Sequence, residues 1–322
     1  MSELSFSIII PTYNEELDIR GTLEAVISLV WSRKEIIVVD DSTDRTPEIV
    51  SEYHAYGVKL IKPEKRNGRS EARNIGIHAA TGDVLLILNA DVLLPNDFLQ
   101  SIAKFYSQGY HSVSVMNTIS NQNQLYARFL EARRNLRISK NVYNRWAKEL
   151  NGVFWTEGFS VRRDIALKTR LFPSGYEIPL EAGEDARFAE DLRRVGCRGY
   201  FAGEIIVPHI APGTLREFWR IRVGRGAGMP QVRYFLDRWP SWKISVWRYA
   251  KVFQRLAKVV TIIPLIYSGY CLAKNMHRNL VIETLRYVWV MIVEEAASTV
   301  GEYQSHSKIK AVIRSRYIGS KV

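Results

Sequence analysis

Three short polar segments of the chain contain the residues best suited to acid–base and metal chemistry. They are Asp40-Asp41, Asn89-Ala90-Asp91 and Glu184-Asp185. If a reaction releases a diphosphate, a divalent metal held by a carboxylate can offset the charge of the two phosphates, and Asp91 is suited to bind Mg²⁺ or Mn²⁺. Asn89 is a weaker ligand that can hydrogen-bond a ribose hydroxyl or a metal-bound water.

One of these acidic residues could accept a proton during the reaction. A hydroxyl that displaces a diphosphate from a sugar carbon must lose its proton, and an Asp or Glu facing that carbon can accept it. Asp185 is the candidate base, whereas Glu184 is better suited to bind hydroxyls of the donor or acceptor. A single base with in-line attack predicts inversion at that carbon, because retention ordinarily needs a second carboxylate as nucleophile.

These polar segments follow strands of a predicted, mostly parallel sheet. Over the first 90 residues, short apolar runs alternate with helical patterns, which is typical of βα units. Strands are predicted at Ser7–Ile10, Glu35–Val39, Val58–Ile61 and Val84–Leu88. Polar residues gather just beyond the carboxyl ends of these strands, where open α/β sheets bind ligands. The sequence contains neither a P-loop nor dinucleotide-type glycine spacing, so any phosphate must be bound by other means.

Four motifs occur along the chain in a recognisable order. They are SIIIPTYNEE at 7–16, IVVDDST at 37–43, RSEARNIGIHAATGDVLLIL at 69–88 followed by NAD, and GED at 183–185 followed by RRVG at 193–196. Together they resemble the family 2 inverting glycosyltransferases of the GT-A fold, and the resemblance covers about residues 5–230. It implies an α/β nucleotide-binding fold with a mostly parallel sheet flanked by helices.

The resemblance also implies a role for each motif. The residues implied to bind the nucleotide sugar are Pro11, Tyr13, Glu15, Asp41, Arg69 (or Arg73), Asn89 and Ala90. Asp41 would hydrogen-bond the base, with Asp40 as the second choice. Asp91 would bind the metal at the position of the family's D-x-D motif, with His209 as a second ligand. Asp185 would deprotonate the acceptor.

The chain also departs from family patterns. Asn89 replaces the first acidic residue of D-x-D. The Q-x-x-R-W signature of processive polysaccharide synthases is absent, because Gln231 stands too far upstream of Trp239, so we expect a single sugar to be added. Leu215–Gly226 resembles an arginine-rich segment of non-processive members. There Arg220, Arg222 and Arg225, with Glu184, would lie on the acceptor and phosphate side.

Charge divides the chain into two predicted domains. Its 322 residues carry a net charge of +12, but residues 212–322 alone contain 19 Lys/Arg and 6 Asp/Glu, a net charge of +13. We therefore expect a GT-A catalytic domain at 1–211, with a nucleotide-sugar half at 1–91 and an acceptor half at 92–211. A basic helical region would follow at 212–322. Such asymmetry favours a polyanionic partner.

The surroundings of those charges favour a membrane surface over nucleic acid. Residues 246–260 place apolar residues on one helical face and basic residues opposite, as in helices that lie on membranes. The uncharged run 259–273 is shorter than the ~20 residues that a spanning helix needs. We therefore predict peripheral or monotopic association with an anionic membrane, on the cytoplasmic face, and no nucleic-acid partner. The two cysteines, Cys197 and Cys271, fit a reducing compartment.

Taken together, the sequence predicts a metal-dependent, inverting glycosyltransferase. It would move one sugar from a nucleoside diphosphate sugar, with a UDP-sugar favoured, to a lipid-linked or glycan acceptor. The product would belong to cell-surface polysaccharide or glycolipid synthesis. Two alternatives stay open. One is a catalytically silent nucleotide-sugar-binding or scaffold protein, which Asn89 suggests. The other is a nucleotidyltransferase, although Pro11-Thr12-Tyr13-Asn14-Glu15 lacks the Gly/Lys/Arg-rich loop that such an enzyme needs after its first strand.

Overall fold

The computed structural model describes residues 4–65, 68–149, 157–274, 276 and 278–319, and the chain divides into two compact units. Unit 1 comprises Met1–Ser120, Asn141–Gly175 and Glu184–Ile210. Unit 2 comprises Asn121–Lys140, Tyr176–Gly183 and Ala211–Val322. The predicted mixed architecture, an α/β part and a helical C-terminal part, is confirmed.

Unit 1 is built on a seven-stranded sheet with the order β3-β2-β1-β4-β6-β5-β7. Its strands are β1 (Phe6–Thr12), β2 (Lys34–Asp40), β3 (Val58–Ile61), β4 (Val84–Ile87), β5 (Ser112–Ile119), β6 (Phe159–Arg162) and β7 (Gly199–His209). All pairings are parallel except those of β6, which runs antiparallel to both of its neighbours. The four strands predicted from apolar runs are therefore present and lie side by side.

Helices cover both faces of this sheet. They are α1 (Ile19–Ile27), α2 (Thr46–Ser51), α3 (Gly68–Ala79), α4 (Phe98–Ser107), α6 (Val142–Glu149), α7 (Arg163–Ala166) and α8 (Glu184–Arg194), with a 3-10 turn at His54–Tyr56. Side chains of β1 alternate between two cores: Ile8 and Ile10 join one cluster and Ile9 the other. Both faces of the sheet are buried, which explains why the central strands are continuous apolar runs.

The position of α3 depends on a glycine. A Cβ at Gly76 would lie 2.4 Å from Cγ2 of Ile9, so α3 packs directly against β1 only because position 76 has no side chain. The close approach brings the polar residues on the first turns of α3 toward the carboxyl ends of the strands, where the candidate site lies.

Unit 2 is helical. Its helices are α5 (Leu125–Ser139), α9 (Leu215–Gln231), α10 (Ser241–Thr261), α11 (Ile263–Ala273) and α12 (Leu280–Gly319), with a π-helical turn at Val232–Leu236. Thr214 and Glu217 form a capping box that starts α9. Among the described residues no single helix is both long and apolar enough to cross a bilayer; α10 and α11 meet those limits only together, and they are bent by 78°.

One helix lies in a different unit from the one the sequence suggested. The predicted acceptor half at 92–211 contains α5, yet α5 groups with the C-terminal helices. Phe129 packs near Phe218 and Tyr287, and Arg128 forms an ion pair with Glu283 at 3.0 Å. These partners are 89 to 158 residues away along the chain, so a pattern read within α5 alone does not reveal them.

Candidate active site

The carboxyl ends of β1 and β2 are joined through Asp40. This side chain is 2% exposed, and its Oδ1 accepts hydrogen bonds from Thr12 Oγ1 at 2.7 Å and from Ser42 Oγ at 2.6 Å. Asp40 is thus occupied in holding the two strand ends together. The neighbouring Asp41 is half-buried, and its backbone N–H donates to the Thr12 carbonyl at 3.3 Å. This arrangement supports the choice of Asp41 over Asp40 as the base-binding residue, which stays a prediction.

The loop after β1 is tied to the loop after β2. Asn14 adopts a left-handed φ of 56°, and its N–H donates to Ser42 Oγ at 2.8 Å. The Asn14 side chain accepts from the Thr43 N–H at 2.9 Å, and the Glu15 N–H donates to Thr46 Oγ1 at 2.9 Å. The structure therefore brings the segment with Pro11, Tyr13 and Glu15 beside the segment that contains Asp41. Tyr13 is 37% exposed and presents its ring at the surface.

A buried arginine of α3 joins two of the predicted polar segments. Arg73 is 1% exposed; its Nη1 donates to Glu184 Oε1 at 2.9 Å and its Nη2 to Asn89 Oδ1 at 3.2 Å. The guanidinium also lies over the ring of Phe172, at 4.9 Å from its centroid. Arg69, one turn earlier and 58% exposed, is 3.8 Å from the same Glu184 oxygen. Arg73 thereby fixes the first turn of α8 beside the end of β4.

The pKa values of the two acidic residues at the start of α8 shift in opposite directions. Burial acts to raise the pKa of Glu184, but the positive charges of Arg73 and Arg69 outweigh it, so the pKa of this carboxyl lies below its ordinary value. The pKa of Asp185 is raised, first by burial and then by the charge of Glu184. Asp185 also accepts a hydrogen bond from the Ala186 N–H at 2.8 Å. Such a split separates a fixed anion from a carboxylate with greater affinity for a proton.

Gly183, the residue before α8, has a φ of +91°, a left-handed conformation that favours glycine. The helix can therefore begin directly at Glu184. Both carboxylates then lie in the first turn, where the partial positive charge of the helix N-terminus favours negative groups.

Asp91, which follows β4, meets His209 at the end of β7. Nε2 of His209 lies 3.0 Å from Asp91 Oδ2, and the two side chains are 16% and 31% exposed respectively. Backbone pairing holds them in place: the Ile210 N–H donates to the Asp91 carbonyl at 3.0 Å, and Val92 forms a bridge with His209. The carbonyl of the intervening Ala90 accepts from Thr22 Oγ1 at 2.6 Å. Two residues that the sequence separates by 118 positions are thus adjacent.

This pair has the chemistry of a partial metal site. Asp91 Oδ1 is buried without a hydrogen-bond partner; a carboxylate suits Mg²⁺ or Mn²⁺, and an adjacent imidazole favours Mn²⁺ of the two. Among the described residues, no group of three His, Cys, Asp or Glu side chains converges. Asp91 and His209 would supply two ligands to such a metal.

The three arginines predicted for the acceptor side lie on α9 in unit 2. Arg220 and Arg225 are exposed. Arg222 is 5% exposed, packs over the ring of Phe218 at 4.8 Å and pairs with Glu294 at 3.2 Å. Its burial lowers the pKa of the guanidinium to about 9. Arg222 is thus held inside unit 2, whereas Arg220 and Arg225 present their charges to solvent; the role toward phosphate stays a prediction for all three.

Comparison with known families agrees with this geometry. The model of the family described as Glycosyl transferase family 2 matches residues 7–169, about half of the chain. The chain belongs to this family. The matched region of family 2 includes β1 to β4, the Asp40-Asp41 loop, Arg73 and Asn89-Ala90-Asp91, and it ends before α8.

Relatives in family 2 match over different lengths. The probable glycosyltransferase YdaM of Bacillus subtilis is 42% identical over 100 residues, which cover 28% of this chain and 24% of that protein. Glycosyltransferase AglE of Haloferax volcanii is 28% identical over 240 residues, 72% of this chain and 75% of that protein. The match thus spans only about a quarter of the former relative but most of the latter.

Solved structures confirm the fold predicted for a family 2 member. The mannosyltransferase PcManGT of Pyrobaculum calidifontis, solved with GDP-Man and Mn²⁺, superposes with a TM-score of 0.60 at 19% identity, over 95% of this chain and 88% of that one. S. aureus TarS 1-349, in complex with UDP-GlcNAc, gives a TM-score of 0.54 at 15% identity, over 94% and 92% of the two chains. The likeness thus extends beyond the sheet.

The importance of one residue of the candidate site was not evident from the sequence. Arg73 stood only as an alternative to Arg69, yet Arg73 makes the buried contacts. Its neighbour Asn74 holds the segment after α7 by exchanging hydrogen bonds with the backbone of Phe172 at 2.8 and 3.0 Å. The available signal was the four-residue spacing of the two arginines, which places them on one side of α3.

Proposed function

We propose that this protein transfers one sugar from a nucleoside diphosphate sugar, with a UDP-sugar favoured, to an acceptor hydroxyl or phosphate with inversion. The observation that carries the proposal is the Arg73 bridge, because it joins the end of β4 to the start of α8 and so sets Asp185 on the same side of the sheet as the donor-binding motifs. Membership of family 2 supports the class of reaction.

The donor would lie across the carboxyl ends of β1, β2 and β4. Asp41 would accept a hydrogen bond from the base, and Pro11, Tyr13 and Glu15 would border the nucleotide. The neutral side chain of Asn89, fixed by Arg73, would orient toward the sugar-proximal ribose or phosphate through its remaining donor capacity. Known relatives bind either type of nucleotide: PcManGT was solved with GDP-Man and TarS with UDP-GlcNAc. The donor panel in the test below therefore contains both.

Asp185 would act as the general base. The acceptor oxygen attacks the anomeric carbon, its proton passes to the Asp185 carboxylate, and the bond from that carbon to the diphosphate oxygen breaks with its electron pair leaving on the diphosphate. A raised pKa makes Asp185 the better proton acceptor of the two carboxylates. Glu184 is buried against Arg73, so it positions the first turn of α8 and is not available as a second nucleophile. A single base without a carboxylate nucleophile would give inversion.

Asp91 and His209 are the residues that would hold a divalent metal. When bound there, Mg²⁺ or Mn²⁺ would offset the negative charge that develops on the leaving diphosphate. The buried, unpartnered Asp91 Oδ1 fits this role, and the presence of Mn²⁺ in the PcManGT complex supports it. Asp91 and His209 are held by backbone pairing of their own segments, so the two ligands need no rearrangement to act together.

A lipid-linked acceptor at the cytoplasmic face of a membrane completes the proposal. The positive charge of residues 212–322 supports it, since each Lys or Arg near an anionic surface contributes about 1 kcal/mol to binding. Arg220 and Arg225 of α9 are exposed and would be available to a phosphate group of such an acceptor. Relatives named for poly-beta-1,6-N-acetyl-D-glucosamine synthesis and amylovoran biosynthesis support cell-surface glycans as the product class.

The test is nucleoside diphosphate release from a panel of UDP- and GDP-sugars with Mn²⁺ or Mg²⁺. We compare wild type with Asp185→Asn and Asp91→Ala, and we use Glu190→Gln, on the same helix as Asp185, as the matched control. Release from one donor, abolished in the first two variants and retained in the control, would support the proposal. Nucleotide binding without release from any donor, with lipid-phosphate acceptors present, would favour the scaffold alternative instead.

A further inference from the structure

Helix α10 turns its charged side toward the protein. Arg255 donates to Glu302 through both Nη atoms at 2.7 Å and to Glu295 through Nε at 2.8 Å. About two turns earlier, Arg248 donates to Nδ1 of His306 at 2.7 Å. Glu302 and His306 are 3% and 1% exposed. The charged side of α10 is therefore packed against α12.

The apolar side of α10 faces outward as a consequence. Tyr249 is 74% exposed, Phe253 73% and Val260 82%. In a helix on the surface of a water-soluble protein the apolar stripe faces the core and the charges face water. Here the polarity is reversed. Packing in unit 2 thus leaves Tyr249, Phe253 and Val260 of α10 exposed.

The exposed apolar surface continues on α11 and on the first turns of α12. On α11, Ile263 is 73% exposed and Tyr267 68%. This helix packs closely on α12, since a Cβ at Gly269 would lie 2.9 Å from the Thr284 carbonyl. On α12, Leu285 is 63% exposed and Trp289 52%. Large apolar side chains exposed together on neighbouring helices mark an interaction site.

The charges around this surface point to the chemistry of its partner. Residues 238–282 contain eight Lys or Arg and no Asp or Glu. Two of the basic residues are turned inward, as described, but Lys243 and Lys274 are exposed, and Lys258 is 53% exposed although it lies 3.5 Å from Glu295. The segment also carries Trp and Tyr, which favour the boundary between hydrocarbon and water. Two copies of such a basic surface would repel each other, whereas an anionic bilayer is complementary to it.

We propose that α10, α11 and the first turns of α12, here called the apolar face, dock on an anionic phospholipid bilayer. Tyr249, Phe253 and Tyr267 would insert among the acyl chains of one leaflet while the lysines contact the headgroups. The 78° bend between α10 and α11 lets both helices follow the surface. This inference rests on the proposed function, because it assigns the surface that would bring the protein to a lipid-linked acceptor. The docking itself requires no sugar transfer.

The test is flotation of the full chain with vesicles of phosphatidylcholine and phosphatidylglycerol, and with vesicles of phosphatidylcholine alone. The variant is Tyr249→Ser/Phe253→Ser. The matched control is Leu17→Ser/Tyr56→Ser, which removes two apolar side chains that are 86% and 65% exposed in unit 1. We expect the variant to lose binding to anionic vesicles by about tenfold or more, because two large side chains no longer enter the hydrocarbon. The control should bind like wild type.

Several results would overturn the inference. The first is binding of the variant to anionic vesicles at the wild-type level, and the second is an equal loss of binding in the control. The third is a wild-type dimer that dissociates in the variant while vesicle binding is unchanged, which would make the apolar face an interface between copies of the chain. Donor hydrolysis is measured on the same proteins without vesicles. Hydrolysis retained by a variant that no longer binds vesicles supports docking. Vesicle binding by a wild type that releases no nucleotide from any donor would refute the proposed function alone.

Discussion

Replacing Arg73 by methionine tests the link between the two halves of the candidate site. The substitution keeps much of the side-chain volume beside Phe172 but removes the buried positive charge that pairs with Glu184. Breaking a buried ion pair on one side costs about 3–5 kcal/mol, because the remaining charge is left without compensation. Arg69 cannot replace it, since at 3.8 Å and 58% exposure its interaction with Glu184 is weakened by solvent.

The cost of Arg73→Met should depend on pH. In wild type the pKa of Glu184 lies below its ordinary value, so the stabilisation from this group is present at neutral pH and is lost only as the pH falls through the folded-state pKa. In the variant the effect of burial dominates and raises that pKa, so acid neutralises the unpaired carboxylate. The destabilisation relative to wild type should therefore shrink between about pH 7.5 and about pH 5.

Urea unfolding at the two pH values measures this difference, with Arg73→Met/Glu184→Gln as the partner variant. If the cost comes from the unpaired charge, the double variant should recover at least half of the loss at neutral pH. Equal destabilisation at both pH values, or a double variant no more stable than the single one, would refute the electrostatic reasoning and leave a packing defect as the cause.

Three further predictions concern Glu184, Asp91 and Arg255. Burial and then the charge of Glu184 raise the pKa of Asp185, so Glu184→Gln should shift the acidic limb of the kcat/KM profile to lower pH; an unmoved limb would contradict the role of Asp185 as base. Asp91→Asn should weaken Mn²⁺ binding in the presence of nucleoside diphosphate by about tenfold or more, as measured by electron paramagnetic resonance; unchanged affinity would place the metal elsewhere. Arg255→Met should lower the free energy of unfolding by about 3 kcal/mol, because Glu302 stays buried, whereas the exposed Lys243→Met should change it by less than about 0.5 kcal/mol.

Residues that act locally could be predicted from the sequence. Ser7–Ile10 is recognisable as a strand because a central parallel strand buries both faces and is therefore a largely apolar run. The rule that ligands bind beyond the carboxyl ends of such strands then selects Asp41 and Asn89-Ala90-Asp91. Both steps need only neighbouring residues and the hand of the βα connection, so no long-range contact has to be known.

The long-range partners could not be predicted in this way. Arg73 and Glu184 are 111 residues apart, and the ion pair between them depends on how closely α3 packs on β1, which in turn depends on the missing side chain of Gly76. The placement of His209 beside Asp91 was expected only from family resemblance. Nothing in the local pattern around His209 distinguishes a ligand from an ordinary buried histidine.

The helix α10 shows where a sequence pattern stops short of a structural conclusion. Its periodicity identifies two faces, and that prediction needs only the 3.6-residue repeat. It does not say which face is covered, because the answer depends on acids that come 40 to 47 residues later, at Glu295 and Glu302. Once Arg255 is paired with these carboxylates, the apolar side has nothing left to pack against within α12. The membrane affinity that we infer is therefore a consequence of internal ion pairing, and breaking that pairing with Arg255→Met should weaken vesicle binding as well as stability.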